Sequence, residues 1–161
     1  MEFGLRRARP GDAREIADVY VTSWNDAFAG RMPRRLMNDV QIARWEQDLA
    51  EHAMRWWLAH TETAVIGFVG TGPSRDPDDP SLGELDTIAV APPAWRQGVG
   101  RRLMAAALDD LLDAGYRECI LWTLADYERG RGFYESTGWH ASGEVRASGR
   151  QIAFRRSSPQ L

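Results

Sequence analysis

The segment from Leu85 to Leu103 has the residues best suited to holding a charged ligand. An alternating strand gives way to Pro92-Pro93, and Arg96-Gln97-Gly98-Val99-Gly100-Arg101 then opens an apolar-striped helix. The first turn of a helix has amide N–H groups without internal acceptors, and it carries the positive end of the helix dipole, about half a charge. Glycines there let a phosphate approach the backbone closely. Arg96 and Arg101 add charge-assisted donors. This chemistry suits the diphosphate of a cofactor. Two other groups offer proton transfer. Glu84 and Asp86 stand two residues apart, on one face of a strand. Tyr134, in Phe133-Tyr134-Glu135, brings a phenol whose ordinary pKa is about 10.

Three phosphate-binding patterns compete for Gly98 and Gly100. A P-loop ends in Gly-Lys-Ser/Thr, and all 20 basic residues here are arginine. A dinucleotide fingerprint has a third glycine where Leu103 stands and opens directly after its strand, whereas 7 residues separate Val90 from Gly98. The third pattern is a coenzyme A loop. Here the sequence resembles the GNAT superfamily, whose signature is Gln/Arg-x-x-Gly-x-Gly/Ala after a strand ending in Val-x-Pro. Val90-Ala91-Pro92, Gly98 and Gly100 match it, and Trp95 occupies the usual Gln/Arg position. A later block of the superfamily reads Asn-x-x-Ala and then Phe-Tyr-Glu-x-x-Gly-Phe/Trp. Phe133-Tyr134-Glu135 and Gly138-Trp139 match that block, while Tyr127 replaces the Asn and Gly130 the Ala. The resemblance runs from near Phe3 to about Phe154.

The resemblance implies direct acetyl transfer from acetyl-CoA to an amine, borne by a small molecule or a peptide. It implies that the backbone of Ile88, Ala89 and Val90 pairs with the pantetheine arm, and that an N–H near Ile88 or Val90 polarises the thioester oxygen. Arg96, Gln97, Gly98, Val99, Gly100 and Arg101 would hold the pyrophosphate, with Asp126 and Tyr127 bordering the cofactor. Tyr134 would protonate the departing sulfur. Glu84, Asp86 or water alone would take the proton of the amine. Trp24 and Phe28 would border the acceptor pocket. A second reading is a catalytically weak acyl-CoA sensor or partner-binding module on the same fold.

The elements that must position these residues follow from periodicity. Phe3 and Leu5 mark a strand, and Pro10-Gly11 break it. Asp12 with Glu15 reads as a capping pair for a helix carrying Ile16, Val19, Tyr20 and Trp24. Leu36, Val40, Ala43 and Leu49 mark a second helix. Trp56–Ala59 and Ala64–Val69 read as a hairpin, Gly72–Ser81 as an exposed loop and Leu85–Val90 as a strand. A helix from Gly98 to about Ala114 presents Leu103, Met104, Ala107, Leu108, Leu111 and Leu112, and Gly115 stops it. Cys119–Leu124, a short helix over Arg129–Ser136, and strands near Trp139–Val145 and Gln151–Arg155 follow. The order β-α-α-β-β-β-α-β-α-β-β predicts an α+β fold. Its resemblance to GNAT proteins implies a mixed, mostly antiparallel sheet flanked by helices. One domain over 1–161 is expected, with a loose tail from Ser157.

Composition excludes several classes. Net charge is −3 and arginine is interleaved with acid, which argues against nucleic acid as the ligand. His52, His60 and His140 lack metal-ligand spacing, so no metal is expected. The lone cysteine, Cys119, rules out a disulfide framework and reads as core rather than an acetyl carrier. The start of the chain lacks a leader's apolar run, and no stretch reaches the roughly 20 apolar residues of a membrane span. A cytoplasmic protein is the expectation, with a homodimer as one means of covering a sheet edge.

Overall fold

The computed structural model describes residues 1–76 and 78–158. Its elements are β1 (Gly4–Arg7), α1 (Ala13–Ala27), α2 (Asp39–Ala50), β2 (Arg55–His60), β3 (Val65–Pro73), β4 (Leu82–Val90), α3 (Val99–Asp113), β5 (Glu118–Leu124), α4 (Glu128–Ser136), β6 (His140–Arg146) and β7 (Gln151–Ser157). The order is the one read from the sequence. The seven strands run β1-β2-β3-β4-β5-β7-β6. The described pairings are antiparallel except β4 with β5, the parallel pair joined by the α3 crossover. The chain divides into two compact units, residues 1–70 with 87–107 and residues 71–86 with 108–161. β3, β4 and α3 contribute to both.

In the first unit α1 buries Ala13, Ile16, Ala17 and Val19 in a cluster with Trp45, Trp56, Leu58 and Phe68. The Trp45 ring stands edge-on to Trp56 at 5.4 Å and to Phe68 at 5.1 Å. Such contacts add about 0.5–1.5 kcal/mol each beyond the area they bury. Two expectations are corrected here. The Asp12 carboxylate does not cap α1; Arg6 takes both of its oxygens at 2.8 and 2.9 Å, and the Arg9 amide donates to it at 2.8 Å. The apolar face of α2 is not Leu36, Val40 and Ala43, all of which are exposed. The Asn38 side chain accepts from the Gln41 amide and starts the helix at Asp39, so Leu36 precedes it. Ile42 and Trp45 then face the core, together with Leu49, which was in the expected stripe.

In the second unit β5 pairs with β7 along its whole length, from Glu118↔Ser157 to Leu124↔Gln151. β4 pairs with β5 over Leu82↔Glu118, Gly83↔Cys119 and Glu84↔Ile120. Leu82, Ile120 and Ala153 form a small core with Trp122 on one face. On the other face a Cβ at Gly83 would come within 2.9 Å of Leu111 and 2.7 Å of Tyr116. β4 therefore begins earlier than the expected Leu85, because Leu82 and Gly83 both pack. Leu112, expected on the apolar face of α3, is 50 % exposed. Gly115 (φ +88°) ends α3, with Tyr116 N donating to Leu111 O. Ser157 belongs to β7, and Ser158 N donates to Arg117 O. The remainder of the expected tail, 159–161, lies outside the described residues.

Candidate active site

The first unit contains the strand-to-helix turn. Arg102 N donates to Gly98 O at 3.1 Å as α3 starts, so the amides of Val99 and Gly100 precede that helical bond. Gly98 adopts φ +84°, and a Cβ built on it would meet nothing within 4 Å. The backbone there is open to a close-lying ligand in a conformation that favours glycine. Val99 is 1 % exposed and anchors the turn from below, while Arg96, Gln97 and Arg101 are exposed. Arg96 also sits at φ +61°, strain that a side chain tolerates when its surroundings hold it there.

Trp95, which takes the signature's usual Gln/Arg position, has a definite role. Its Nε1 donates to Val90 O at 2.6 Å and ties the turn to the end of β4. Ala91 N donates to Ile66 O at 2.8 Å, so alternation directs the backbone of Ala89 toward β3 and that of Ile88 and Val90 to the opposite side. Also in this unit, Trp24 packs against Phe28 in a tilted pair at 4.6 Å, and Tyr20 lies 6.3 Å from Trp24. Phe28 is buried and Trp24 half-buried. The Arg35 guanidinium lies over both Trp24 (4.0 Å) and Tyr20 (5.1 Å). The sequence offers no signal for Arg35, which sits outside any periodic stripe.

The second unit contains the ionisable groups. Glu84 is 8 % exposed. Desolvation raises its carboxyl above the ordinary value; Asp86 adds to this, while Arg75, Arg146 and a hydrogen bond from the Arg75 backbone oppose it. Asp86 differs, because its carboxylate is paired with Arg75 at 2.6 Å. Arg146 lies over the Trp122 ring at 4.3 Å, and burial lowers its pKa. The sequence reading missed both Arg75 and Arg146; each lies in a breaker-rich or polar stretch. Cys119 is buried, which pushes its thiol up to about 11, the wrong direction for a nucleophile.

The Tyr134 ring contacts Phe133 (5.7 Å) and Phe154 (5.8 Å). Burial pushes its phenol well above the usual range, and the neighbouring Tyr127 pushes the same way. Tyr127 is itself raised by burial. Asp126 is exposed just before it. The departures at Tyr127 and Gly130 are one change. A Cβ at Gly130 would lie 2.5 Å from Tyr127 Cδ1, so the larger ring at 127 requires the missing side chain at 130. Gly130→Ala is therefore expected to destabilise by about 1–3 kcal/mol through overpacking, despite the better helix former. Adding Tyr127→Asn should remove the penalty in a denaturant double-mutant cycle. Additive effects would show that the two positions are independent.

Comparison with known proteins bears on the family and the fold. The model of the acetyltransferase (GNAT) family matches residues 13–139. The chain belongs to the GNAT family. Among this transferase's relatives is the uncharacterized N-acetyltransferase YuaI of Bacillus subtilis, 29% identical over 122 residues (74% of this chain and 70% of the relative). A probable N-acetyltransferase of Mycobacterium tuberculosis, Rv2775, is 27% identical over 147 residues, 88% of this chain and 82% of the relative. The GNAT fold is shared with the PaiA N-acetyltransferase of Thermoplasma acidophilum, solved in complex with coenzyme A. That structure is 17% identical, has a TM-score of 0.76, and is covered over 98% of this chain and 100% of its own. In this GNAT chain no described helix is long and apolar enough to cross a membrane. Among its described residues no group of three or more His, Cys, Asp or Glu is arranged to hold a metal ion.

Proposed function

We propose that this GNAT protein transfers an acetyl group from acetyl-CoA to the amine of a small molecule or peptide. The observation that carries the proposal is the left-handed, uncovered Gly98 at the start of α3, a backbone site that a side chain would fill. The donor set fits an anionic diphosphate. Arg96, Gln97 and Arg101 are exposed around that turn, and the amides of Val99 and Gly100 precede the Arg102–Gly98 bond. Ile88 and Val90 would present backbone to the pantetheine arm, and Trp95 would keep the turn in place. Acetyl-CoA supplies the thioester, whose C–S bond breaks as the bond to the amine nitrogen forms.

Glu84, through a water, would accept the proton the amine loses. Its raised pKa makes it a better base than an ordinary carboxylate, whereas pairing with Arg75 keeps Asp86 occupied. Tyr134 would return a proton to the sulfur, and exchange with solvent would reset both groups. The raised phenol is a weaker acid than the ordinary one. Desolvation also strengthens a thiolate as a base, which moves the proton acceptor in the same direction as the donor.

Thiol release from acetyl-CoA with a panel of amines tests the proposal, followed from pH 5 to 9 in wild type and Glu84→Gln. Below its pKa Glu84 holds its own proton and cannot accept another. Wild-type kcat/KM should therefore rise with pH through a step above the ordinary carboxylate range. The Gln variant should lose that step and about 10²–10⁴ in rate. Binding of acetyl-CoA without release for any amine would favour a sensor, and absence of both would end the proposal.

A further inference from the structure

Arg35 lies after α1, in the segment between α1 and α2, and its backbone is fixed from both sides. Asn25 Nδ2 donates to Arg35 O at 3.0 Å, and Arg35 N donates to Asn25 Oδ1 at 2.8 Å. This clamp places the guanidinium on the Trp24 and Tyr20 rings. Arg6, Arg75 and Arg155 each meet a carboxylate, at 2.8, 2.6 and 2.6 Å. Arg35 meets none among the described residues. Its Nε is buried without a hydrogen-bond partner, as is Nε1 of the Trp24 indole it covers. Orphaned Nε1 atoms also occur at Trp56 and Trp139, so Arg35 is the more telling of the two.

A guanidinium stays ionised at any physiological pH. Stacking on aromatic rings offsets only part of what the buried Nε forgoes by being left unbonded. The Nη groups, unlike Nε, are not among the buried unbonded atoms, so they are where an anion would meet the guanidinium, whose planar fork matches a carboxylate in a bidentate fashion. The residues nearby in sequence add an apolar character. Met32, Leu36 and Val40 are exposed at 37, 71 and 76 %.

On the acetyltransferase reading above, we infer that Arg35 binds the carboxylate of the acceptor, which is an α-amino acid with an apolar or aromatic side chain. Trp24 and Tyr20 then serve to hold the guanidinium flat. The acceptor must enter with its amine neutral, and its carboxylate takes no part in the chemistry, so Arg35 is a binding and positioning residue.

The test compares L-amino acids with their decarboxylated amines and their amides: L-phenylalanine, phenethylamine and L-phenylalaninamide, with the tryptophan and leucine sets beside them. In the wild type, at least one amino acid should exceed both neutral counterparts at least tenfold in kcat/KM for thiol release. Arg35→Gln should lower that amino acid at least tenfold and its amine less than threefold. Arg35→Lys, which keeps the charge but not the fork, should fall between. Equal use of acid, amide and amine in every set overturns the inference, as does an equal loss for acid and amine in Arg35→Gln. The wild-type comparison needs no variant, so a misfolded Arg35→Gln leaves it decisive. If no amine releases thiol, acetyl transfer fails by itself. Calorimetric titration of the same sets then decides the carboxylate, with tighter binding of the acids supporting it and equal or absent binding overturning it.

Discussion

Tyr134→Phe is expected to lower kcat by about 10²–10⁴-fold, the usual worth of a positioned proton donor, while acetyl-CoA affinity stays within about twofold. The separation of the two effects follows from the packing. Tyr134 contacts Phe133 and Phe154 through its ring, and phenylalanine keeps those contacts. Only the hydroxyl is lost. Burial first, and Tyr127 second, hold the phenol protonated well beyond neutrality, so it donates across the whole working pH range. No alkaline decline in kcat should therefore trace to Tyr134 below about pH 10, the value of an unperturbed phenol. Thiol release under saturating acetyl-CoA, with affinity measured in parallel by calorimetry, checks both parts. An unchanged kcat would remove Tyr134 from the chemistry; a parallel loss of affinity would assign it to packing instead.

Gly98→Val is expected to weaken acetyl-CoA binding by about 10–150-fold, the equivalent of one charge-assisted hydrogen bond of about 1.5–3 kcal/mol. A Cβ at 98 meets nothing within 4 Å, so the main cost to the fold is that of the left-handed backbone. That cost is about 1–2 kcal/mol. Gly115 is a matched control at the other end of α3, with φ +88° and no atom within 4 Å of a built Cβ. Gly115→Val should lower thermal stability by a similar amount and leave acetyl-CoA affinity unchanged. Equal affinity losses in both variants would mean that backbone strain, rather than the occupied ligand space, explains the effect.

The fold was legible wherever one element carried one strong period. α1, α3 and the order of the strands follow from apolar spacing and from Gly or Pro at their ends. The face of α2 was legible only at Leu49, because Leu36-Val40-Ala43 and Ile42-Trp45-Leu49 have equally helical spacings. Only the aromatic cluster around Trp56 and Phe68 decides between them. Asp12 looked like a cap because local sequence does not reveal that Arg6 lies close enough to take its carboxylate. At the candidate site, the glycine turn, Tyr134 and Glu84 were readable as residue types at a spacing. The coupling of Tyr127 with Gly130, the anchoring of Trp95 on Val90 and the stacking of Arg35 were not. Each depends on a contact between side chain and backbone, or between a guanidinium and a ring, that no periodicity encodes.

Hydrogen exchange of the backbone amides, with and without saturating acetyl-CoA, measures the diphosphate site directly. Ligand should slow exchange at Val99 and Gly100 most, the amides that precede the Arg102–Gly98 bond. The same addition to Gly98→Val should protect them far less. Unaltered exchange at Val99 and Gly100 in wild-type protein that demonstrably binds acetyl-CoA would contradict a diphosphate held at the start of α3.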